Sequence, residues 1–206
     1  MSRFSSTLAD AHAALQAENL PKAQTLFQEL TRQPKATTAD WYNLGVVQWM
    51  QRDAKGAVES WQAALKAEEA DKQTLSSCHT NLANYFLLAK QDAAKASSHL
   101  AEAVKLTPED GEIRYNYGLV LEKQDELQLA LENYLRAEEA GVLKEDPSKM
   151  ETLIRNVSAK LLARNKDIPE SEQEIEARRM LDEAKEKADA GGMGTQVDWG
   201  KHGDGR

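Results

Sequence analysis

An all-α fold of stacked helical hairpins is predicted for this chain by three observations. The stretch at residues 41–70 returns in outline at residues 114–140. Of the 5 prolines, Pro34, Pro108 and Pro147 stand where other signals also end or begin helices. The apolar content of 41% can supply a core, while 6% aromatics and a mean hydropathy of −0.65 suit a thin layer of helices better than a thick globule.

The recurrence is residue by residue. Tyr42-Asn43 returns as Tyr115-Asn116, Gly45 as Gly118, Ala57 as Ala130, Trp61 as Tyr134 and Ala64 as Ala137, all at one offset. Self-similarity at a fixed period marks a stacked repeat protein. The spacing of Trp41, Leu44, Gly45, Ala57, Trp61 and Ala64 resembles the tetratricopeptide repeat, a helix-turn-helix of about 34 residues. Gln48 stands where that family has Tyr. The resemblance covers about residues 4–144 and implies a right-handed superhelix of four units, at about 4–37, 38–71, 76–110 and 111–144.

Each unit has its own markers. The first is degenerate, with Ala11, Ala23, Phe27 and Leu30 in register and Phe4, Leu8, Ala11 and Leu15 on one helical face. Pro21 suits a helix start, where its missing N–H costs nothing. Thr37, Thr38 and Asp40 offer N-caps for the second unit, and Asp53 and Gly56 mark its internal turn. The helix from Ala57 is expected to run on, because Asp71-Lys72-Gln73-Thr74 contains neither Gly nor Pro. Asn81-Leu82-Ala83, Ala96, Leu100, Ala103 and Pro108 carry the third unit, with one extra residue near Gln91-Asp92. Tyr117, Gly118, Ala130, Tyr134 and Ala137 carry the fourth. Small residues on paired helices (Ala11, Gly45, Ala83 and Gly118 facing Ala23, Ala57, Ala96 and Ala130) permit close approach, and Phe27, Trp61, Leu100 and Tyr134 wedge between helices.

Gly141 stops the last repeat, and Ser148 with Glu151 suggests a capping box. Met150, Leu153, Ile154, Val157, Leu161 and Leu162 follow at helical spacing, so residues 147–165 are expected to form a C-terminal capping helix with Lys149, Arg155, Lys160 and Arg164 in water. Residues 169–190 read as a charged, marginal helix, and residues 191–206 as a flexible Gly-rich tail carrying Trp199.

Several function classes fall away. A net charge of −8 gives no general attraction to nucleic acid or anionic lipid. No apolar run is long enough to span a membrane, and MSRFSSTLAD lacks a signal-peptide core. The lone Cys78 fits a reducing compartment, so a cytoplasmic location is expected. His12, His79, His99 and His202 are scattered without metal-ligand spacing, and no nucleophile or phosphate-loop motif appears. No enzyme activity, metal or cofactor is therefore expected.

The resemblance points instead to a groove. In such arrays the first helix of each unit lines the concave face. Asn43, Asn81 and Asn116 share one register position there, and Asn84 stands one turn on from Asn81. The ladder resembles that of O-GlcNAc transferase and other peptide-binding members. A carboxamide can donate to and accept from a peptide bond whatever the side chain beside it. Tyr42, Val46, Trp49, Met50, Leu88, Tyr115 and Leu119 complete an apolar, aromatic lining. The carboxylate clamp of heat-shock co-chaperones is not matched: Leu8, His12, Ser77 and Asn81 stand where its cations and other ligands belong, and only Asn43 fits. The expected function is a non-enzymatic adaptor binding an extended or helical segment of another protein in this groove. The alternative is an assembly subunit held through the array's end or convex face.

Overall fold

The computed structural model describes residues 3–68, 70–164, 175–176, 178–183 and 185–186. Nine continuous helices follow in order within residues 3–164, and no strand occurs among the described residues. They are α1 (Arg3–Gln16), α2 (Leu20–Thr31), α3 (Thr38–Met50), α4 (Ala54–Ala64), α5 (Lys72–Leu88), α6 (Ala93–Leu106), α7 (Gly111–Lys123), α8 (Leu127–Glu139) and α9 (Pro147–Arg164). Successive helices pack on one another, and α3 also touches α5. The result is four hairpins and a final single helix, an all-α superhelical stack.

The core is a chain of small clusters. Ala11, Ala23 and Phe27 pack with Leu44 and Val47, while Trp61 packs with Ala57, Ala64, Cys78 and Leu82; Trp41 borders both groups. Further on, Ala83, Ala96 and Leu100 pack with Ile113 and Val120, and Tyr134 packs with Leu131, Met150 and Val157; Tyr117 borders both. The wedge residues Phe27, Trp61, Leu100 and Tyr134 are all buried.

Within each hairpin the turn obeys one rule. The first helix ends on a non-glycine residue in the left-handed region, at Glu18, Arg52, Gln91 and Asp125, with φ between 52° and 67°. Three turns then hand over to an Asn or Asp that caps the second helix: Asn19 accepts from Lys22 N–H at 3.3 Å, Asp53 from Gly56 N–H at 2.9 Å and Asp92 from Lys95 N–H at 3.0 Å. The third turn, residues 89–92, holds the one extra residue. The fourth offers Glu126, whose longer side chain makes no cap hydrogen bond. Glu126→Asp should therefore supply the missing cap, raising stability by about 1 kcal/mol and the melting temperature by roughly 2–4 °C. A calorimetric melt checks this, and an unchanged temperature would deny the cap.

Between hairpins, Thr37 and Asp40 form a reciprocal capping box. Asp110 caps α7 through Glu112 and Ile113 N–H. After α8, Gly141 adopts φ +82° and closes the helix, with Gly141 N–H on Glu138 O at 2.8 Å and Val142 N–H on Ala137 O at 3.0 Å. This is the Schellman pattern, which favours glycine at that position.

Three sequence expectations are corrected. The helix from Ala57 does not run on; α4 stops at Ala64, and the added turn belongs to α5, which starts at Lys72 because Asp71 caps it through Thr74 N–H at 2.7 Å. Ser76 then fastens this turn, bonding Ala103 O at 3.1 Å and Thr107 Oγ1 at 2.6 Å. Ser148 is not the cap of α9, since the helix already starts at Pro147; its hydroxyl donates to Asp146 Oδ1 at 2.7 Å. Nor do the basic residues of α9 simply face water. Lys160 pairs with Glu122, Arg164 pairs with Asp125, and Lys149 Nζ sits 5.7 Å from the centre of the Tyr115 ring. Glu122 also accepts from the Tyr134 hydroxyl at 2.9 Å, so wedge, first helix and last helix are joined.

Residues 175–176, 178–183 and 185–186 are helical. Met180 reaches Gln128 Nε2 at 3.8 Å and, with Glu183, borders a cavity of about 240 Å³ against Leu129, Leu131 and Leu161. The remainder of the charged segment, the expected tail 191–206 with Trp199, and the side chain of Phe4 lie outside the described residues.

Candidate functional site

The candidate site lies on the first helix of each hairpin. One face packs inward. Leu44, Leu82 and Gly118 are buried there, and Gln48, standing in the tyrosine slot, accepts from the Ser60 hydroxyl at 2.6 Å. The slot filled by Trp41 in the second unit is filled by His79 and Arg114 in the next two. Each solves burial differently. Arg114 is buried and donates from Nε to Pro108 O at 2.6 Å, while burial and nearby Arg136 lower its pKa.

Asn43 on α3, Asn81 and Asn84 on α5 and Asn116 on α7 are all half-buried. Among the described residues, none of the four carboxamides has a hydrogen-bond partner, although neighbouring polar groups such as Gln48, Ser76 and Ser60 do. Their donors and acceptors are thus open to solvent or to a ligand.

The apolar residues named with them divide into two sets. Trp49 (37% exposed), Met50 (47%), Leu88 (71%) and Leu119 (38%) are exposed. Trp49 still leans on the buried wedge Trp61, ring centres 5.9 Å apart. Tyr42 and Val46 are half-buried, with Tyr42 packed against the Trp61 cluster. Tyr115 is held more firmly than its sequence position suggests, with its ring 6.3 Å from that of Tyr134 and the Lys149 ammonium over it. An apolar cavity of about 610 Å³ also opens at the N-terminal end, where Leu8, Leu30 and Pro34 meet Thr37.

The histidines require a correction. His79 and His99, read as scattered, meet with their Nδ1 atoms 3.0 Å apart. The missed signal was the repeat register, which puts His79 in the inward slot of Trp41, facing the second helix of its own hairpin. Burial lowers the pKa of both rings, with Glu102 opposing that at His79. The described residues contain no group of three or more His, Cys, Asp or Glu that could hold a metal ion. Cys78 is buried and its pKa is pushed up to about 12 by desolvation, so its thiol stays protonated and unreactive near neutral pH. No described helix is long and apolar enough to cross a membrane.

Comparison with known proteins agrees with this architecture. A sequence profile described as the tetratricopeptide repeat matches residues 8–73 and 87–148. No curated protein matches the chain in sequence. Solved structures share its fold at low identity. MamA from Desulfovibrio magneticus RS-1 (residues 41 to its end) is 16% identical with a TM-score of 0.60, the match covering 92% of this chain and 97% of that one. PilF of Pseudomonas aeruginosa is 20% identical with a TM-score of 0.57, over 94% and 78% of the two chains. YrrB, described as a TPR protein with an unusual peptide-binding site, is 18% identical with a TM-score of 0.58, over 89% and 91%.

Proposed function

The chain belongs to the tetratricopeptide repeat family, and from that premise we propose that it is a non-enzymatic, cytoplasmic adaptor that holds a peptide segment of a partner protein along its first helices. Protein–protein interaction is the general role of this fold. The observation that carries the finer reading is the register of open carboxamides: Asn43, Asn81 and Asn116, with Asn84 beside them, have no partner among the described residues. Asparagine is a poor helix former, so nothing in helix propensity favours it at one register in three units. The ladder grips the ligand's backbone, and Tyr42, Val46, Trp49, Met50, Leu88, Tyr115 and Leu119 accept its side chains. Exposed aromatic and methionine surface suits an adaptable contact.

Replacing Asn43, Asn81 and Asn116 together by Ala is the test. Each hydrogen bond contributes roughly 0.5–1.5 kcal/mol net, so affinity should fall about tenfold or more. The fold should be unharmed, because these side chains support no internal bond and Ala is the better helix former. Partners captured from native lysate by the parent are compared with those captured by the variant, and the affinity of each is measured by calorimetry. A variant that melts much earlier makes the amides structural; one that folds and binds undiminished moves the contact elsewhere.

A second reading is a subunit held in a stable complex through its end or convex face. The exposed Leu129 on α8 and Leu162 on α9 favour it. Stable co-purification indifferent to the asparagine changes would select this reading.

A further inference from the structure

His79 on α5 and His99 on α6 close the third hairpin from within. Their Nδ1 atoms are 3.0 Å apart and their ring centres 5.3 Å apart, so both nitrogens lie close to the line joining the rings. A metal bound at about 2.0–2.1 Å from each nitrogen needs two lone pairs converging off that line. Head-on nitrogens share a proton instead. Phe86 stacks on His99 at 5.5 Å and 9° from parallel, which holds that ring in place.

The arrangement counts protons. With no charge on the pair, one Nδ1–H donates and the other Nδ1 accepts. With one charge, an imidazolium donates to a neutral ring and the bond is charge-assisted. With two charges, both nitrogens carry hydrogens and two cations face each other in a half-buried site. We propose that the His79–His99 pair is a proton-counting latch, holding α5 against α6 while the rings share at most one charge and releasing that seam when a second proton arrives. Since α5 carries Asn81 and Asn84, release loosens the middle of the groove. That consequence rests on the groove reading; the latch itself does not.

The surroundings offer little relief for a second charge. On α6, Glu102 acts on His79 but is already paired with Lys105 at 2.6 Å. Lys95, paired with Asp92, places a further cation 5.2 Å from the Phe86 ring. From α7 the ionisable neighbour is Tyr117, close to Lys105. Toward α3 and α4, α5 presents Cys78 and Leu82 to Ala57, Trp61 and Ala64, with Tyr42 at the border.

The sign follows from proton binding. Free histidines take up protons near pH 6.5, whereas burial lowers the affinity of both rings; the charge-assisted bond offsets this for the first proton, so the second is the one refused. Below that pH the unfolded chain binds more protons, so the contribution is present above about 6.5 and is lost as pH falls through the folded values. Each proton refused raises the unfolding constant about tenfold per pH unit.

The test uses the full chain, comparing the parent with the His79→Gln/His99→Gln variant. Denaturant unfolding between pH 7.5 and 5 should show the parent losing stability more steeply, by about tenfold in the unfolding constant per pH unit for one linked proton. An NMR titration of the parent's histidines should show two coupled rings, one taking its proton well below the ordinary range. Identical pH curves for parent and variant would overturn the latch. Independent protonation of both rings near pH 6.5 would overturn it equally, and that result needs no variant to fold. The triple asparagine variant should keep the parent's titration, which separates failure of the latch from failure of the groove.

Discussion

Trp61→Ala is expected to remove about 3–5 kcal/mol of stability, a large share of the roughly 5–15 kcal/mol that holds a typical domain together. Trp61 is 2% exposed and fills the space among Ala57, Ala64, Cys78 and Leu82, drawing two hairpins into contact. Truncation opens a cavity between helices that neighbouring units hold apart. The indole Nε1 is buried without a hydrogen-bond partner in the described structure, so Trp61→Phe discards an orphaned donor along with some packing. It should cost much less than Ala, since Phe27 already serves in the same place in the first hairpin. Trp49→Ala should change stability by only about 1 kcal/mol, as that side chain is exposed on one side. Denaturant midpoints compare the three variants. A Trp61→Ala protein melting with the parent would deny the wedge.

The second large effect is a coupling between glycine and wedge. A Cβ at Gly45 would lie 2.5 Å from Trp61 Nε1 and 2.6 Å from Cδ1; one at Gly118 would lie 2.6 Å from Tyr134 Cε1. Neither ring is free to recede, because both are buried. Gly45→Ala should therefore cost about 1–3 kcal/mol, against the roughly 1 kcal/mol that Ala ordinarily gains in a helix. The two other hairpins place Ala beside a smaller wedge, Ala83 with Leu100 and Ala11 with Phe27. In a Trp61→Leu background the Gly45→Ala penalty should then largely vanish. A double-mutant cycle measures this, with an expected coupling of about 0.5–3 kcal/mol. Simple additivity would mean that glycine is there for another reason.

Much of this architecture was legible because the chain repeats itself. Gly45 with Trp61 and Gly118 with Tyr134 state one packing solution twice, and Thr37, Asp53 and Gly141 punctuate it with residues whose side chains or backbone freedom suit helix ends. Where chemistry departs from the local rule, the sequence misled. The hairpin turns use Glu18, Arg52, Gln91 and Asp125 in a conformation that glycine would advertise. Lys160 and Arg164 follow a polar helical face, yet their acidic partners lie 38 and 39 residues away, and only packing brings them together. His79 and His99 are 20 residues apart and meet because the third hairpin folds back on itself. Of the proposed groove lining, the sequence did not show the uneven setting: Trp49 and Tyr115 each lean on a buried wedge, so these side chains and the scaffold are one piece.

The core clusters carry a mechanical consequence. Trp41 ties the first two clusters together and Tyr117 ties the last two, but among the described residues none belongs to both the Trp61 cluster and the Leu100 cluster. The boundary runs lengthwise through α5, with Leu82 on one side and Ala83 on the other. Nearest-neighbour coupling governs cooperativity in a stacked array, so the chain behaves as two springs in series with one helix as their common wall. The two blocks are expected to differ in stability, which probes placed in each would report as non-coincident denaturant transitions.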